Sequence, residues 1–78
     1  MLIRTPQQLG PILQGYRKTR ELTQARAGQA IGLPQSVISK LELDPSTAAF
    51  GRVFKLLAAL DLELVVRPRG KSAPSSEW

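Results

Sequence analysis

Two short helical patterns separated by a tight glycine–proline turn constrain this chain more than any other feature. The sequence reads as helix from Thr23 to about Ala30 and again from about Gln35 to Leu43, with Gly32 and Pro34 between. Thr23 is a suitable first cap, because its hydroxyl oxygen can accept from an unpaired N–H of the first turn. Gly32 falls where the first pattern ends, and a left-handed residue that turns the chain is most readily a glycine. Pro34 starts the second pattern, having a helix-compatible φ and no N–H to leave unpaired. Ile31, Val37, Ile38 and Leu41 are expected to point inward, and the small Gly28 lets the two helices cross closely.

The flanks extend this unit. Thr5-Pro6 reads as a helix start, and Leu9, Ile12, Leu13 and Tyr16 follow at helical spacing. Pro11 removes a backbone bond and crowds the preceding turn, so a kink is expected there, or a helix that begins only at Gly10. Arg17, Lys18 and Arg20 suit the negative carboxyl end of that helix. Asp44-Pro45 stops the third helix. Ser46 or Thr47 is expected to cap a fourth, in which Phe50, Val53, Phe54, Leu57 and Leu60 keep helical spacing. The period then changes: Leu62, Leu64 and Val66 alternate with Glu63, Val65 and Arg67, as in a strand. The predicted fold is therefore all-α, a compact four- to five-helix bundle, plus one short C-terminal β-strand. Residues 1–67 are expected to form the domain, and residues 68–78, rich in Pro, Gly, Ser and charge, a flexible tail ending in Trp78.

Composition removes whole classes of function. With neither cysteine nor histidine, the chain lacks disulfides, thiolate metal ligands, the usual zinc ligands and the commonest general base. No paired carboxylates or phosphate-cradling glycine loop suggest an active site, so neither an enzyme nor a cofactor is expected. No signal peptide or membrane-spanning run is evident, which points to the cytoplasm. Lys and Arg outnumber Asp and Glu by 11 to 6, a balance of +5 that suits a polyanionic partner. At 78 residues the core is small, and assembly into an oligomer is a natural source of stability.

The run from Leu22-Thr23-Gln24, through Gly28 and Gly32-Leu33, to Gln35-Ser36-Val37-Ile38-Ser39-Lys40-Leu41-Glu42 resembles the helix-turn-helix of the Cro and phage-repressor family. Ala27 and Pro34 depart from its commonest pattern, in which a Leu and a Ser or Thr cap stand at these places. The resemblance implies double-stranded operator DNA as partner, with the second helix in the major groove and its first turn toward the bases. Gln24 then matches a phosphate clamp at a helix start, and a phosphate contact alone carries no sequence information. Gln35 matches a base-reading glutamine, able to donate to and accept from adenine together. Ser36, Ser39 and Lys40 share the exposed face. Arg17 and Glu42 match a pair of family positions that form a buried or half-buried salt bridge.

The chain further resembles one branch, the HipB-type antitoxins, in its start Thr5-Pro6-Gln7-Gln8-Leu9-Gly10, in the run Phe54-Lys55-Leu56-Leu57 and in the Glu77-Trp78 end. That resemblance implies a homodimer whose strands, Leu62, Glu63, Leu64, Val65, Val66 and Arg67, pair across a two-fold axis. It also implies that Trp78 docks on a HipA-like serine/threonine kinase toxin. Three functions stay open at this point: an operator-binding repressor that also binds such a kinase, a stand-alone regulator, and a protein-interaction module of the same fold.

Overall fold

The structure, a computed structural model, describes residues 2–69, and all their regular structure is helical. Helix α1 spans Pro6–Thr19, α2 Gln24–Ile31, α3 Gln35–Leu43 and α4 Phe50–Ala59, with a 3-10 turn at Pro45–Thr47. The eight side chains of the core come from every helix: Leu13, Ala27, Ile38, Leu41, Val53, Leu56, Leu57 and Leu60. Ile31 and Val37 are half-buried at its margin. Ala27 is fully buried. Among the described residues no helix is long and apolar enough to cross a membrane.

Three of the four helices end in the same way. Glu21, Gly32 and Asp61 each take a left-handed φ, of 58°, 71° and 58°. The next residue is a leucine in every case, and its N–H reaches back five residues: Leu22 to Arg17, Leu33 to Gly28 and Leu62 to Leu57. Each leucine packs on the core. This closure satisfies two otherwise free carbonyls and covers the helix end with an apolar side chain. Only one of the three left-handed residues is a glycine; Glu21 and Asp61 adopt a conformation that L side chains enter at some cost.

Helix α1 runs unbroken through Pro11, without a late start at Gly10. Pro11 and Gln7, whose carbonyl loses its intrahelical donor to the proline, are both exposed, so solvent can take the vacant position. At the start of α1 the N–H of Thr5 donates to Oε1 of Gln8 at 3.1 Å, and the N–H of Gln8 to the Thr5 carbonyl at 3.1 Å. The expected cap of α4 at Ser46 or Thr47 is not found; the cap is Ala49. Asp44 captures this segment instead. Its Oδ1 accepts from the N–H of Ser46 at 3.1 Å and from the Ser46 hydroxyl, which winds Pro45–Thr47 into the 3-10 turn. The inner stripe of α4 is Val53, Leu56, Leu57 and Leu60, a complete i, i+3, i+4, i+7 set, which leaves Phe50 and Phe54 on the outer flank.

The expected strand Leu62–Arg67 is not present among the described residues. Leu62 belongs to the closing turn of α4, while Glu63, Leu64, Val65, Val66 and Arg67 are exposed and carry no regular structure. A strand needs a neighbour with free backbone groups, and four helices have already used theirs internally. Trp78 and residues 70–78 of the expected tail lie outside the described residues.

Helix α1 meets the end of α3 so closely that a Cβ at Gly10 would run into the backbone carbonyl of Glu42; at Gly15 nothing lies within 4 Å. Gly10→Ala is therefore expected to destabilise the fold by about 1–3 kcal/mol, as overpacking does. Gly15→Ala should stabilise it by up to about 1 kcal/mol through helix propensity. Thermal unfolding of the two variants beside the parent reads both signs, and equal melting temperatures would contradict the close approach of α1 and α3.

Candidate nucleic-acid interface

The turn between α2 and α3 brings the first residues of both helices together. Thr23 caps α2, its side-chain oxygen accepting from the N–H of Arg26 at 3.1 Å, which makes Gln24 the first helical residue. Pro34 caps α3 without a side-chain bond, and Gln35 is the first helical residue there. A Cβ at Gly28 would strike the carbonyl of Leu33, so the glycine sets how tightly the turn folds back on α2. The side chains of Gln24 and Gln35 consequently meet, with Gln35 Nε2 3.4 Å from Gln24 Oε1. Gln24 is half-buried and Gln35 exposed.

Behind the two glutamines lies a buried ion pair. Arg17 Nε donates to Glu42 Oε2 at 2.6 Å and Nη2 to Oε1 at 3.2 Å, a two-pronged contact between α1 and α3. The third prong, Nη1, donates to the Leu22 carbonyl at 2.7 Å and so holds the entry to α2. Gln24 Nε2 donates to Glu42 Oε1 at 3.0 Å. Arg17 and Glu42 are only 8 % and 6 % exposed, and no buried side-chain nitrogen or oxygen among the described residues lacks a partner. Charges this far from water are tolerated only when paired and fully hydrogen-bonded. The other ion pair among the described residues, Arg20 with Asp61 at 3.7 Å, is solvent-exposed and contributes little.

Ser36, Ser39 and Lys40 lie along α3 beyond the glutamines; Ser36 and Lys40 are exposed and Ser39 is half-buried. Ser36 and Lys40 share the rim of a hollow of about 360 Å³ with Asp44, Thr47, Ala49 and Arg52. Arg52 and Thr47 escape a reading of the sequence, because the 3-10 turn that carries α4 back toward α3 has no period to betray it. Lys40 and Arg52 put two cations at this opening against the one carboxylate of Asp44, a net positive charge of one.

Four helices with a tight α2–α3 turn define a helix-turn-helix protein, and comparison with known proteins agrees. A family model described as Helix-turn-helix matches residues 13–66, more than half of the chain, and the protein belongs to that family. Among individual relatives, Antitoxin HipB of Escherichia coli (strain K12) is 28 % identical over 74 residues, covering 95 % of this chain and 84 % of the relative. A second Antitoxin HipB, from Escherichia coli O6:H1, is 27 % identical over 74 residues, covering 95 % of this chain and 79 % of that one. Two solved structures are similar at a TM-score of 0.85 and 27 % identity: a HipA-HipB-O2-O3 complex and a HipB-O4 20mer complex, each covering 90 % of this chain and 99 % of the matched chain.

Removing either partner of the Arg17–Glu42 pair strands a buried charge. Arg17→Ala or Glu42→Ala is expected to cost about 3–5 kcal/mol, a large share of what a domain of this size possesses. The double variant should be less destabilised than the sum of the singles. A double-mutant cycle in urea measures this coupling; a coupling of zero within error would reduce the two residues to independent neighbours.

Proposed function

We propose that this protein is a sequence-specific transcriptional repressor that binds operator DNA as a homodimer and acts as the antitoxin partner of a HipA-like serine/threonine kinase. The observation that carries the reading is the convergence of Gln24 and Gln35 at the amino ends of α2 and α3, in front of a buried ion pair that holds both helices. The antitoxin role and the kinase partner rest on the similarity to proteins named Antitoxin HipB and to a HipB chain solved in complex with HipA.

In this reading Gln35 enters the major groove and makes a bidentate pair with adenine, while Gln24 stands over a phosphate. Ser36, Ser39 and Lys40 follow along the groove. Lys40 and Arg52, around their shared hollow, take the backbone of the same strand, and the excess of cations supplies the general attraction.

Residues 1–67 form the DNA-binding domain in this proposal, and dimerisation runs through residues 62–67. Val65 and Val66 are 74 % and 86 % exposed, an apolar surface that a single chain leaves in water. Antiparallel pairing with a second copy about an axis at Val65 sets Glu63 against the second Arg67 and Leu64 against the second Val66, so that charge and apolar pairs both match. A strand absent from the isolated chain thereby forms on assembly. Phe50, 70 % exposed and stacked edge-to-face on Phe54 at 5.0 Å, and Leu43, 81 % exposed, are further apolar surface for the same partner. Trp78 serves as the anchor for the kinase, since a tryptophan filling a pocket is a common source of binding energy at interfaces.

Two outcomes are expected. With the protein's own upstream DNA against a scrambled duplex, measured at two salt concentrations, the parent should prefer its own sequence and lose affinity steeply with salt. Gln35→Ala should weaken the preferred duplex by about 1–3 kcal/mol and relax one base pair; equal binding of both duplexes by the parent would overturn the repressor reading. Val65→Pro removes ladder bonds, and sedimentation should then report monomers; an unchanged dimer would move the interface to the helices.

A further inference from the structure

The segment after α4 carries charge that the roles proposed above leave unused. Between Glu63 and Glu77 the sequence has no acidic residue, and Arg67-Pro68-Arg69-Gly70-Lys71 sets three cations at alternate positions. Arg67 and Arg69 are exposed, and neither belongs to an ion pair among the described residues. Arg67 has a place in the proposed dimer, opposite the Glu63 of a second copy. Arg69 and Lys71 have none. Cations so close in the chain repel one another, so the pattern gains from a polyanion laid along it.

The spacing matches duplex DNA. An extended chain rises about 3.3 Å per residue and turns alternate side chains to the same side. Base pairs rise about 3.4 Å each along the duplex. Arg69 and Lys71 would therefore fall two base pairs apart. The residues beside them are slender: Gly70 has no side chain, and Pro68 has a compact ring. A strip of this width fits the minor groove, about 6 Å across, and leaves the major groove, about 12 Å across, half empty. Arg and Lys can only donate, and the minor-groove edge of an A·T pair shows only acceptors, adenine N3 and thymine O2. A G·C pair adds the guanine N2 amino group, which opposes a donor with a donor. Pro68 also suits the point where such a strip leaves the paired strand, because a residue without an N–H ends a ladder.

The fold brings this segment to the DNA-facing end of the helices. Asp61, just past α4, lies 3.7 Å from Arg20, the carboxyl cap of α1. Arg20 stands four residues before Gln24, a separation of at most about 14 Å. The end of α4 is therefore close to the start of α2. In the proposed dimer, Arg67 of one chain faces Glu63 of the second copy, two residues beyond that copy's Asp61. Each chain thus carries its residues 68–71, which span about 13 Å when extended, toward the start of α2 in the second copy.

We propose that residues 68–71 form an arm that enters the minor groove beside the base pairs met by α3, where Arg69 and Lys71 select A·T over G·C. The proposal rests on the operator-binding dimer described above. Two arms about a two-fold axis require two symmetric A·T segments, one beside each half-site. The arm adds readout of the minor groove, through its acceptors, width and potential, to the base edges met in the major groove. A merely solvated basic segment would attract every duplex equally.

The full chain is first selected on a randomised duplex pool to define its preferred site. That site is then made in three forms that differ only in the base pairs beside each half-site: A·T, G·C or inosine·cytosine. Inosine is guanosine without the N2 amino group, so its pair with cytosine resembles A·T in the minor groove and G·C in the major groove. The parent should bind the A·T and inosine·cytosine forms alike. It should bind the G·C form at least about fivefold more weakly, the low end for one unsuitable base pair. Arg69→Ala and Lys71→Ala lie beyond the helices; each should narrow that difference, and the double variant should erase it, with the base preference under α3 unchanged. Equal binding of all three forms by the parent would overturn the proposal and leave a solvated basic segment. An inosine·cytosine form bound as weakly as G·C would overturn it in favour of a major-groove contact. A parent that selects no site from the pool would overturn the operator reading itself, so the two failures are distinguishable.

Discussion

The contact between Arg17 and Glu42 links what would otherwise be loosely related parts. Both side chains are buried, and each of the three guanidinium nitrogens of Arg17 has a partner: two bonds to Glu42 and one to the Leu22 carbonyl. One side chain thus fixes α1 against α3 and sets the loop through which the chain enters α2. A hydrophobic pair at the same place would hold the helices together equally well, since burying an ion pair gives little net stability. It would not specify direction. The carboxylate accepts and the guanidinium donates, and that asymmetry fixes which way neighbouring amides must point. Gln24 is the first of these neighbours: its Nε2 donates to Glu42 at 3.0 Å, and its Oε1 lies 3.4 Å from Gln35 Nε2.

Close approach of the backbones makes this contact possible. Gly10 lies against the carbonyl of Glu42, and Gly28 against the carbonyl of Leu33. A methyl at either place would push apart the elements whose spacing brings Arg17 to Glu42 and Gln24 to Gln35. The repeated helix closure, a left-handed residue followed by a core-packed leucine, does the same work at longer range. It fixes where α1, α2 and α4 stop, and hence where the next segment starts. In a domain whose core cluster holds only eight side chains among the described residues, such backbone devices carry much of the specification that a larger core would supply by packing.

The helices were legible in the sequence because each has a period and a boundary: Thr5-Pro6, Thr23, Gly32, Pro34 and Asp44-Pro45 mark their ends locally. The pairing of Arg17 with Glu42 was legible only by resemblance, since residues 25 positions apart leave no local sign of meeting, and the contacts of Gln24 with Glu42 and Gln35 were not legible at all. Two features were misread for physical reasons. The fourth helix starts late because Asp44, and neither Ser46 nor Thr47, provides the decisive side-chain oxygen. The alternation from Leu62 to Arg67 is real, but alternation states only that a segment could bury one face of a strand. A strand also requires a second one, and the described residues contain none. Arg52 was missed because its place beside Lys40 depends on the 3-10 turn, which follows neither the helical nor the strand period.

In the proposed function, DNA meets this protein at the joined amino ends of α2 and α3. The most direct test of this contact is to follow the backbone and side-chain amide resonances of the labelled protein while a duplex of its upstream DNA is added. The largest shifts are expected at the side-chain amides of Gln24 and Gln35 and at the backbone amides of Gln35 and Ser36, with smaller ones near Lys40 and Arg52. Shifts confined to the exposed flank of α4, around Phe50 and Phe54, with the two glutamine amides unmoved, would contradict it.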